Sequence, residues 1–513
     1  MNGAESLIST LIKGGVEVCF ANPGTSEMHF VAALDKATKM RGVLGLFEGC
    51  VTGAADGYAR MTGKPAVSLL HLGPGLSNGM ANLHNAKKAR TPMINIVGEH
   101  ATYLREYDPP LGADIETMAK PVSAWIRTSM SAGVVGQDAA DAIAASLRYP
   151  GQVATLILPA DTAWNEGGQV GVVPQFESPP SVSDEAVRYA AGLLRKPGTI
   201  LLINGAGLLE RGTELAAAIG IATGAEVRAQ GPNARVTRGA GRVAIDRVPN
   251  PIEMSLEVFA DAPAVVMVGA TRPTAQFAYP GKPTFLTPPE CEVYSLATPM
   301  EDVLGALENL ADLVGAKPDK VAREVRVVPA LPTGDITPDK LAASLGALIP
   351  ENAIITDESV TTGRKFFGAT LGAAPHDWLQ LTGGAIGSGI PMAIGAAVAC
   401  PDRPVINFES DGSGMFTVQG LWTQAREQLN VVTVIWANRA YNILRNELKR
   451  VGAGQAGKLA NNMLSLDNPE LSWVDIARGL GVDGCRVETM EDFTRNFRDA
   501  LARPGPFLIE VMI

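Results

Sequence analysis

The chain has 513 residues, 46% hydrophobic and 19% charged, with 55 glycines and 35 prolines, which excludes a disordered chain, a coiled coil and a collagen-like fibre. Forty-three Lys and Arg against 53 Asp and Glu give a net charge of −10 with no basic block, so no nucleic acid partner is expected. That length suggests about three domains.

Short apolar runs alternate with helical periodicity throughout, the pattern of parallel sheets covered by helices, so the expected class is α/β. In chain order, strands are expected at Val16–Phe20, Val43–Phe47, Ala66–His71, Met93–Val97 and Val153–Leu158. Most are followed by Gly- or Pro-rich turns, and ligands of such sheets sit at those carboxyl ends. Three turns carry residues with chemistry. Asn22-Pro23-Gly24-Thr25-Ser26-Glu27 follows the first strand, and Glu48 opens an unusually small-residue helix after the second. His71 ends the third, ahead of Leu72-Gly73-Pro74-Gly75, where an imidazole suits proton transfer near neutrality.

Asn165–Asp184 is rich in Gly, Pro and Ser without periodicity, so a first domain is expected over residues 1–170. A middle domain over 184–325 runs from the strand Ile200–Asn204 through Ala264–Val268 to the helix Met300–Val314. Its Gly205-Ala206-Gly207 turn is only part of a dinucleotide fingerprint, so FAD is not favoured. The polar stretch Lys317–Thr337 leads into a third domain over 336–513, from the helix Pro338–Leu348 and the strand Ala353–Ile355 to a last strand at Phe507–Met512.

The richest segment is Val405–Phe416, an apolar strand running into the acidic glycine turn Asp411-Gly412-Ser413-Gly414 and then a helix. Such a turn aims backbone amides at whatever sits above it, which suits a phosphate. Asp411 would repel a phosphate unless it holds a bridging divalent cation, and Mg²⁺ prefers hard oxygen ligands. The next strand, Val431–Ala437, ends at Asn438, with 25 residues separating Gly412 from Asn438. A strand, a helix and the adjacent parallel strand take about that length, so Asn438 is expected beside Asp411 as a second ligand.

The five cysteines and five histidines form no short-spaced metal cluster, which leaves oxygen as the main ligand type. No apolar run reaches the about 18 residues of a membrane span, and Met1–Glu5 lacks a basic leader, so a reduced cytoplasmic protein without a membrane partner is expected.

With these motifs the chain resembles the thiamine-diphosphate (ThDP) enzymes of the acetolactate synthase and 2-oxo acid decarboxylase superfamily, and is closest in motifs to the benzoylformate decarboxylases. Ser410 stands where the family signature has a first glycine, and Arg439 where a second Asn is usual. The resemblance implies pyrimidine-binding, middle and diphosphate-binding domains, each a mainly parallel sheet flanked by helices. It also implies a homodimer or homotetramer with the active site at the subunit interface.

By the same resemblance Asp411, Asn438 and the carbonyl of Ala440 hold Mg²⁺, with Ca²⁺ as a substitute. Gly412, Ser413, Ser359, Thr361, Tyr441, Asn442 and Ile443 contact ThDP, and Glu48 hydrogen-bonds the pyrimidine N1′. Ile386, the one large residue in Thr382–Pro391, becomes the wedge under the folded cofactor, although that run also reads as an ordinary Gly-rich helix start. His71 and Thr25 are carried over as catalytic and substrate-contacting residues. Gln276 stands where the benzoylformate decarboxylases have a second active-site histidine, and it cannot transfer protons. Ile443, Leu444 and Glu447 fall at substrate-pocket positions and suggest a pocket tighter than one for a phenyl ring.

The implied reaction is decarboxylation of a small 2-oxo acid to an aldehyde, with carboligation to a 2-hydroxyketone as a side outcome. The main rival is an acetolactate-synthase-type carboligase joining two 2-oxo acids. His71-Leu72, Phe47 and Gly49 depart from the usual synthase residues. A lesser rival is a catalytically silent ThDP-fold binding protein.

Overall fold

The computed structural model describes residues 1–175 and 177–513. In chain order the strands are β1 (Val18–Ala21), β2 (Arg41–Leu44), β3 (Ala66–Leu70), β4 (Met93–Glu99), β5 (Trp125–Thr128) and β6 (Val153–Pro159). Then come β7 (Ile200–Ile203), β8 (Glu226–Ala229), β9 (Val236–Arg238), β10 (Asp246–Arg247), β11 (Ala264–Val268) and β12 (Glu292–Ala297). The last are β13 (Ala353–Glu358), β14 (His376–Gln380), β15 (Val405–Ser410), β16 (Val431–Ala437), β17 (Asp483–Val487) and β18 (Phe507–Met512).

They form three sheets with the orders β2-β1-β3-β4-β6-β5, β10-β8-β7-β11-β12 and β17-β18-β16-β15-β13-β14-β9. The pairings are parallel except β9 with β14, which sets Arg238 opposite His376 and Val236 opposite Trp378. Strands covered by helices on both faces read as unbroken apolar runs, and all seven residues of β4 and of β16 are buried.

Two strand boundaries move for a physical reason. β1 ends at Ala21, which pairs with Leu44, so β2 has no partner beyond Leu44 and stops there instead of at Phe47. Phe47 becomes the N-cap of the helix Glu48–Thr62, which has Glu48 in its first turn and Arg60 in its last. Both charges oppose the helix dipole, and the helix ends at Gly63 in the left-handed region.

The small residues of that helix have a packing role. It crosses the helix Gly389–Ala399 so closely that a Cβ on Gly57 would lie 2.2 Å from the Met392 carbonyl, and one on Gly395 1.9 Å from that of Ala54. One apolar cluster therefore spans the first and third sheets, with Val51, Ala55 and Tyr58 against Met392, Ile394 and Val398. No helix among the described residues is long and apolar enough to cross a membrane. All five cysteines are free thiols, with Cys19, Cys50 and Cys291 buried.

Candidate active site

Glu48 starts its helix at the end of the β2 turn and is 7% exposed. Its Oε2 accepts a hydrogen bond from Asn78 Nδ2 at 3.0 Å. Asn78 lies two turns into the helix Leu72–Ala89, whose N-cap is His71. A Cβ on Gly75 would come 3.3 Å from Glu48 Oε1, so the small Gly73-Pro74-Gly75 turn admits the carboxylate against the helix start.

His71 Nδ1 lies 2.9 Å from Glu27 Oε2 and 3.2 Å from Oε1. Glu27 Oε2 also accepts the Gly24 amide at 2.7 Å, and a Cβ on Gly24 would fall 2.2 Å from the imidazole. The Asn22–Glu27 loop is thus folded onto the ring. The Glu27 side chain is only 1% exposed, and burial lifts its carboxyl above the usual range while the His71 charge pulls it back. With Nδ1 engaged, Nε2 is the nitrogen left for a ligand, and it has no protein partner among the described residues. Thr25 is exposed at the start of the same loop's short helix.

On the third sheet, β15 and β16 pair through Ser410 and Trp436, so the residues that follow each strand emerge side by side. Asp411 is 2% exposed and accepts the Gly412 amide on Oδ1 at 2.9 Å and the Arg439 amide on Oδ2 at 2.6 Å. Burial pushes its carboxyl up to about 6. Asn438 Oδ1 accepts the Ala440 amide at 2.9 Å, which leaves a second lone pair. No group of three or more His, Cys, Asp or Glu that could hold a metal occurs among the described residues. One carboxylate, one side-chain amide and a main-chain carbonyl remain, a hard-oxygen set that suits Mg²⁺ better than a soft-ligand metal.

Gly412 must be small, since a Cβ there would lie 2.5 Å from the Tyr441 ring. Ser413 and Ser359 are buried, Ser359 Oγ donating to Asp357 at 2.5 Å, whereas Thr361 and Ile386 are half-buried. Asn442 and Ile443 are exposed on the helix Asn442–Arg450. Gln276 is exposed on the loop between β11 and β12 and has no hydrogen bond among the described residues.

Three of the seven non-glycine residues with positive φ among the described residues adjoin these positions. Leu72, Val360 and Arg439 have φ of 47°, 47° and 54°, and they directly follow His71, Ser359 and Asn438. A branched residue such as Val360 is rarely held there, and such outliers collect at ligand sites.

The sheets meet beside the helix start that carries Glu48. Asn82 Nδ2 donates to the carbonyls of Gly49 at 2.8 Å and Gly387 at 3.2 Å, and Asn85 Nδ2 to that of Ala385 at 2.8 Å. The Ile386 loop is thereby tied to the Glu48 helix and to the helix behind His71. Behind that loop Glu358 accepts the amides of Gly387, Ser388 and Gly389 at 2.8, 2.7 and 2.7 Å. Glu409 lies opposite it on β15 with Oε2 unpartnered.

Glu27, Asn78, Glu358 and Glu409 received no role from the sequence. Glu27 lies inside the Asn22–Glu27 motif and Asn78 three residues beyond Gly75, but their partners are 44 and 30 residues away.

Residues 1–119 match the family model of the thiamine pyrophosphate enzyme N-terminal TPP binding domain, and 367–511 that of the C-terminal TPP binding domain. A Mycobacterium tuberculosis protein with the provisional name acetolactate synthase large subunit is 52% identical, over 100% of this chain and 99% of its own. Benzoylformate decarboxylase of Pseudomonas aeruginosa is 29% identical over 98% and 97%. The structure of a ThDP-dependent 4-hydroxybenzoylformate decarboxylase from Rhodococcus jostii RHA1 superposes with a TM-score of 0.84 at 24% identity, covering 100% and 99%, which bears on the fold alone. Cofactor-domain matches at both ends of the chain, and a relative more than half identical along its whole length, assign the chain to the thiamine pyrophosphate (ThDP) enzymes, within their acetolactate synthase and decarboxylase family.

Proposed function

We propose that the protein is a ThDP- and Mg²⁺-dependent decarboxylase that converts a small 2-oxo acid to an aldehyde. The observation that carries this reading is His71, held at Nδ1 by the buried Glu27 at the carboxyl end of β3. An imidazole fixed in that way presents Nε2 for proton transfer at a substrate or at product release.

In this reading Asp411, Asn438 and the Ala440 carbonyl hold Mg²⁺, and Gly412, Ser413, Ser359 and Thr361 line the diphosphate. Ile386 supports the folded cofactor, with Tyr441, Asn442 and Ile443 at its rim. The cofactor, when bound, supplies the electron sink for loss of CO₂. Glu48 holds or releases a proton at N1′, and Asn78 keeps its carboxylate aimed there. Thr25 offers a hydroxyl to the substrate carboxylate, and Ile443 and Leu444 narrow the pocket. Gln276 has no proton to relay.

The second reading, carboligation of two 2-oxo acids in the manner of acetolactate synthase, is supported by the name of the 52% identical relative. A panel of aliphatic, branched and aromatic 2-oxo acids with ThDP and Mg²⁺ separates the two. The decarboxylase releases one CO₂ and one aldehyde per acid consumed, whereas the carboligase releases one CO₂ per two acids. Absence of any CO₂ would leave a silent cofactor-binding protein.

A homodimer or homotetramer is the inferred assembly. Leu46, Phe416, Ile443 and Leu444 are exposed apolar side chains, each beside or among the site residues, and a second copy would cover them. The free thiols support a reducing, cytoplasmic setting.

A further inference from the structure

β9 leaves the middle stretch of the chain to edge the third sheet, and it carries a charge into an apolar seam. Arg238 is 3% exposed. Its Nη2 donates to the Phe367 carbonyl, while Nε and Nη1 have no partner among the described residues. Its guanidinium carbon lies 3.5 Å from the Phe367 ring centroid, and that of Arg247 lies 3.6 Å from the same centroid. Two cations therefore share one ring. Asp357, whose charge acts on both, commits its oxygens to Ser359 and to Trp378 Nε1. Burial, with Arg247 adding repulsion, pulls the Arg238 guanidinium well below its ordinary range.

Arg238 lines a small cavity of about 20 Å³ together with Leu208, Asn233, Thr237, Arg247 and Phe367, among others. Thr237 Oγ1 is also buried there without a partner. Leu208 follows β7 and Asn233 follows β8, so the cavity lies at the carboxyl ends of the middle sheet, where open parallel sheets take ligands. Only a water-sized body moves freely within it, which excludes a nucleotide. Asp357 and Glu324 oppose the Arg238 charge without hydrogen-bonding its free donors, and water would satisfy those donors without adding negative charge beside the two guanidinium groups.

We propose that this cavity binds a monatomic anion of chloride or bromide size, which compensates the Arg238 and Arg247 charges and ties the ends of β7 and β8 to β9 of the third sheet. The site is separate from the one assigned to the ThDP diphosphate, so the test uses protein saturated with ThDP and Mg²⁺. Thermal unfolding is followed in sodium bromide, sodium phosphate and sodium gluconate at matched ionic strength. Bromide should raise the midpoint saturably, by about 3 °C at a hundredfold excess over Kd, while phosphate, too large for the cavity, and gluconate do not. Arg238→Met should abolish that rise. An equal response to all three salts, or a rise that persists in Arg238→Met, would overturn the proposal. Crystals of the unaltered protein soaked in bromide give a reading that does not depend on the variant folding. An anomalous peak within hydrogen-bond reach of Arg238 Nη1 supports the site, and an empty cavity at high bromide refutes it.

Discussion

At the scale of single residues, the candidate site separates groups that act from groups that aim them. Glu48→Gln keeps the shape and the Asn78 contact but removes the proton site, so turnover should fall by about 10²-fold or more with folding and ThDP affinity retained. Steady-state rates alongside calorimetric cofactor titration check this, and a near-normal rate would dismiss Glu48 as the activating acid. Asn78→Ala should cost less, since it loosens the carboxylate without deleting it. His71→Ala should lower kcat by about 10²-fold and leave ThDP binding unchanged. Glu27→Gln retains an acceptor for Nδ1 and removes the charge, so its loss should lie between those of the unaltered protein and His71→Ala. An equal fall in cofactor affinity for His71→Ala would make the histidine a structural residue. Glu48, Asp411 and Asn438 could be nominated from the sequence because each sits in a contiguous motif whose proposed chemistry calls for its residue type. Glu27 and Asn78 were not, because their roles depend on partners brought close only by the β1, β2 and β3 crossovers.

At the scale of elements, legibility follows burial. β3, β4, β6, β11, β16 and β18 are central or well-covered strands, and their apolar runs announce them. β5, β8, β12 and β17 lie at or near sheet edges and mix charged with apolar residues, as in Asp483-Gly484-Cys485-Arg486-Val487. β14 hides for a different reason: its His376, Asp377 and Gln380 are polar yet buried. The ends of β13 and β15 carry a further consequence. Glu358 and Glu409 face each other on adjacent strands, and Glu358 takes the three amides that open the Gly389–Ala399 helix. Glu409 is left with one partnered oxygen, and burial and then the Glu358 charge raise its carboxyl well above the usual range. Burial also raises Glu358, to about 7. Both groups bind protons more tightly folded than unfolded. Their stabilising contribution is therefore complete below the unfolded value of about 4.3 and lost as pH climbs through the raised values. Glu409→Gln removes one of these protons from the balance. The cofactor-free variant should gain stability relative to the unaltered protein as pH rises from about 5 to about 7. Urea midpoints across that range test it, and a difference that does not change with pH would count against the shared burial of the pair.

At the scale of the whole molecule, polar contacts tie the three sheets together, and Arg60 makes several of them. It extends from the Glu48–Thr62 helix with its side chain 2% exposed, against Asp56 at 3%. Nε and Nη2 grip the two Asp56 oxygens at 2.9 and 2.6 Å, while Nη1 reaches the carbonyls of Gln380 at 2.7 Å and Ala234 at 3.3 Å. Nη2 also meets Thr382 Oγ1 at 3.1 Å. One side chain thus spans the first sheet's helix, the end of β14 and the segment before β9. Arg60→Ala would leave Asp56 buried with only Thr91 Oγ1 as a side-chain donor among the described residues, a loss of about 3–5 kcal/mol, as for other buried ion pairs that lose one partner. Lysine should not rescue it, since a single ammonium cannot grip both oxygens and reach across the seam. Arg60→Met combined with Asp56→Asn should recover part of the loss, because it removes the stranded charge along with its partner. The more telling expectation concerns cooperativity. Hydrogen exchange of β3 and β4 amides and of β13 and β15 amides should report one common unfolding free energy in the unaltered protein and two separate ones in Arg60→Ala. If the two sheets still open together, the small-residue crossing of the Glu48–Thr62 and Gly389–Ala399 helices would be sufficient to join them, and Arg60 would be a local ion pair and not a clamp between domains.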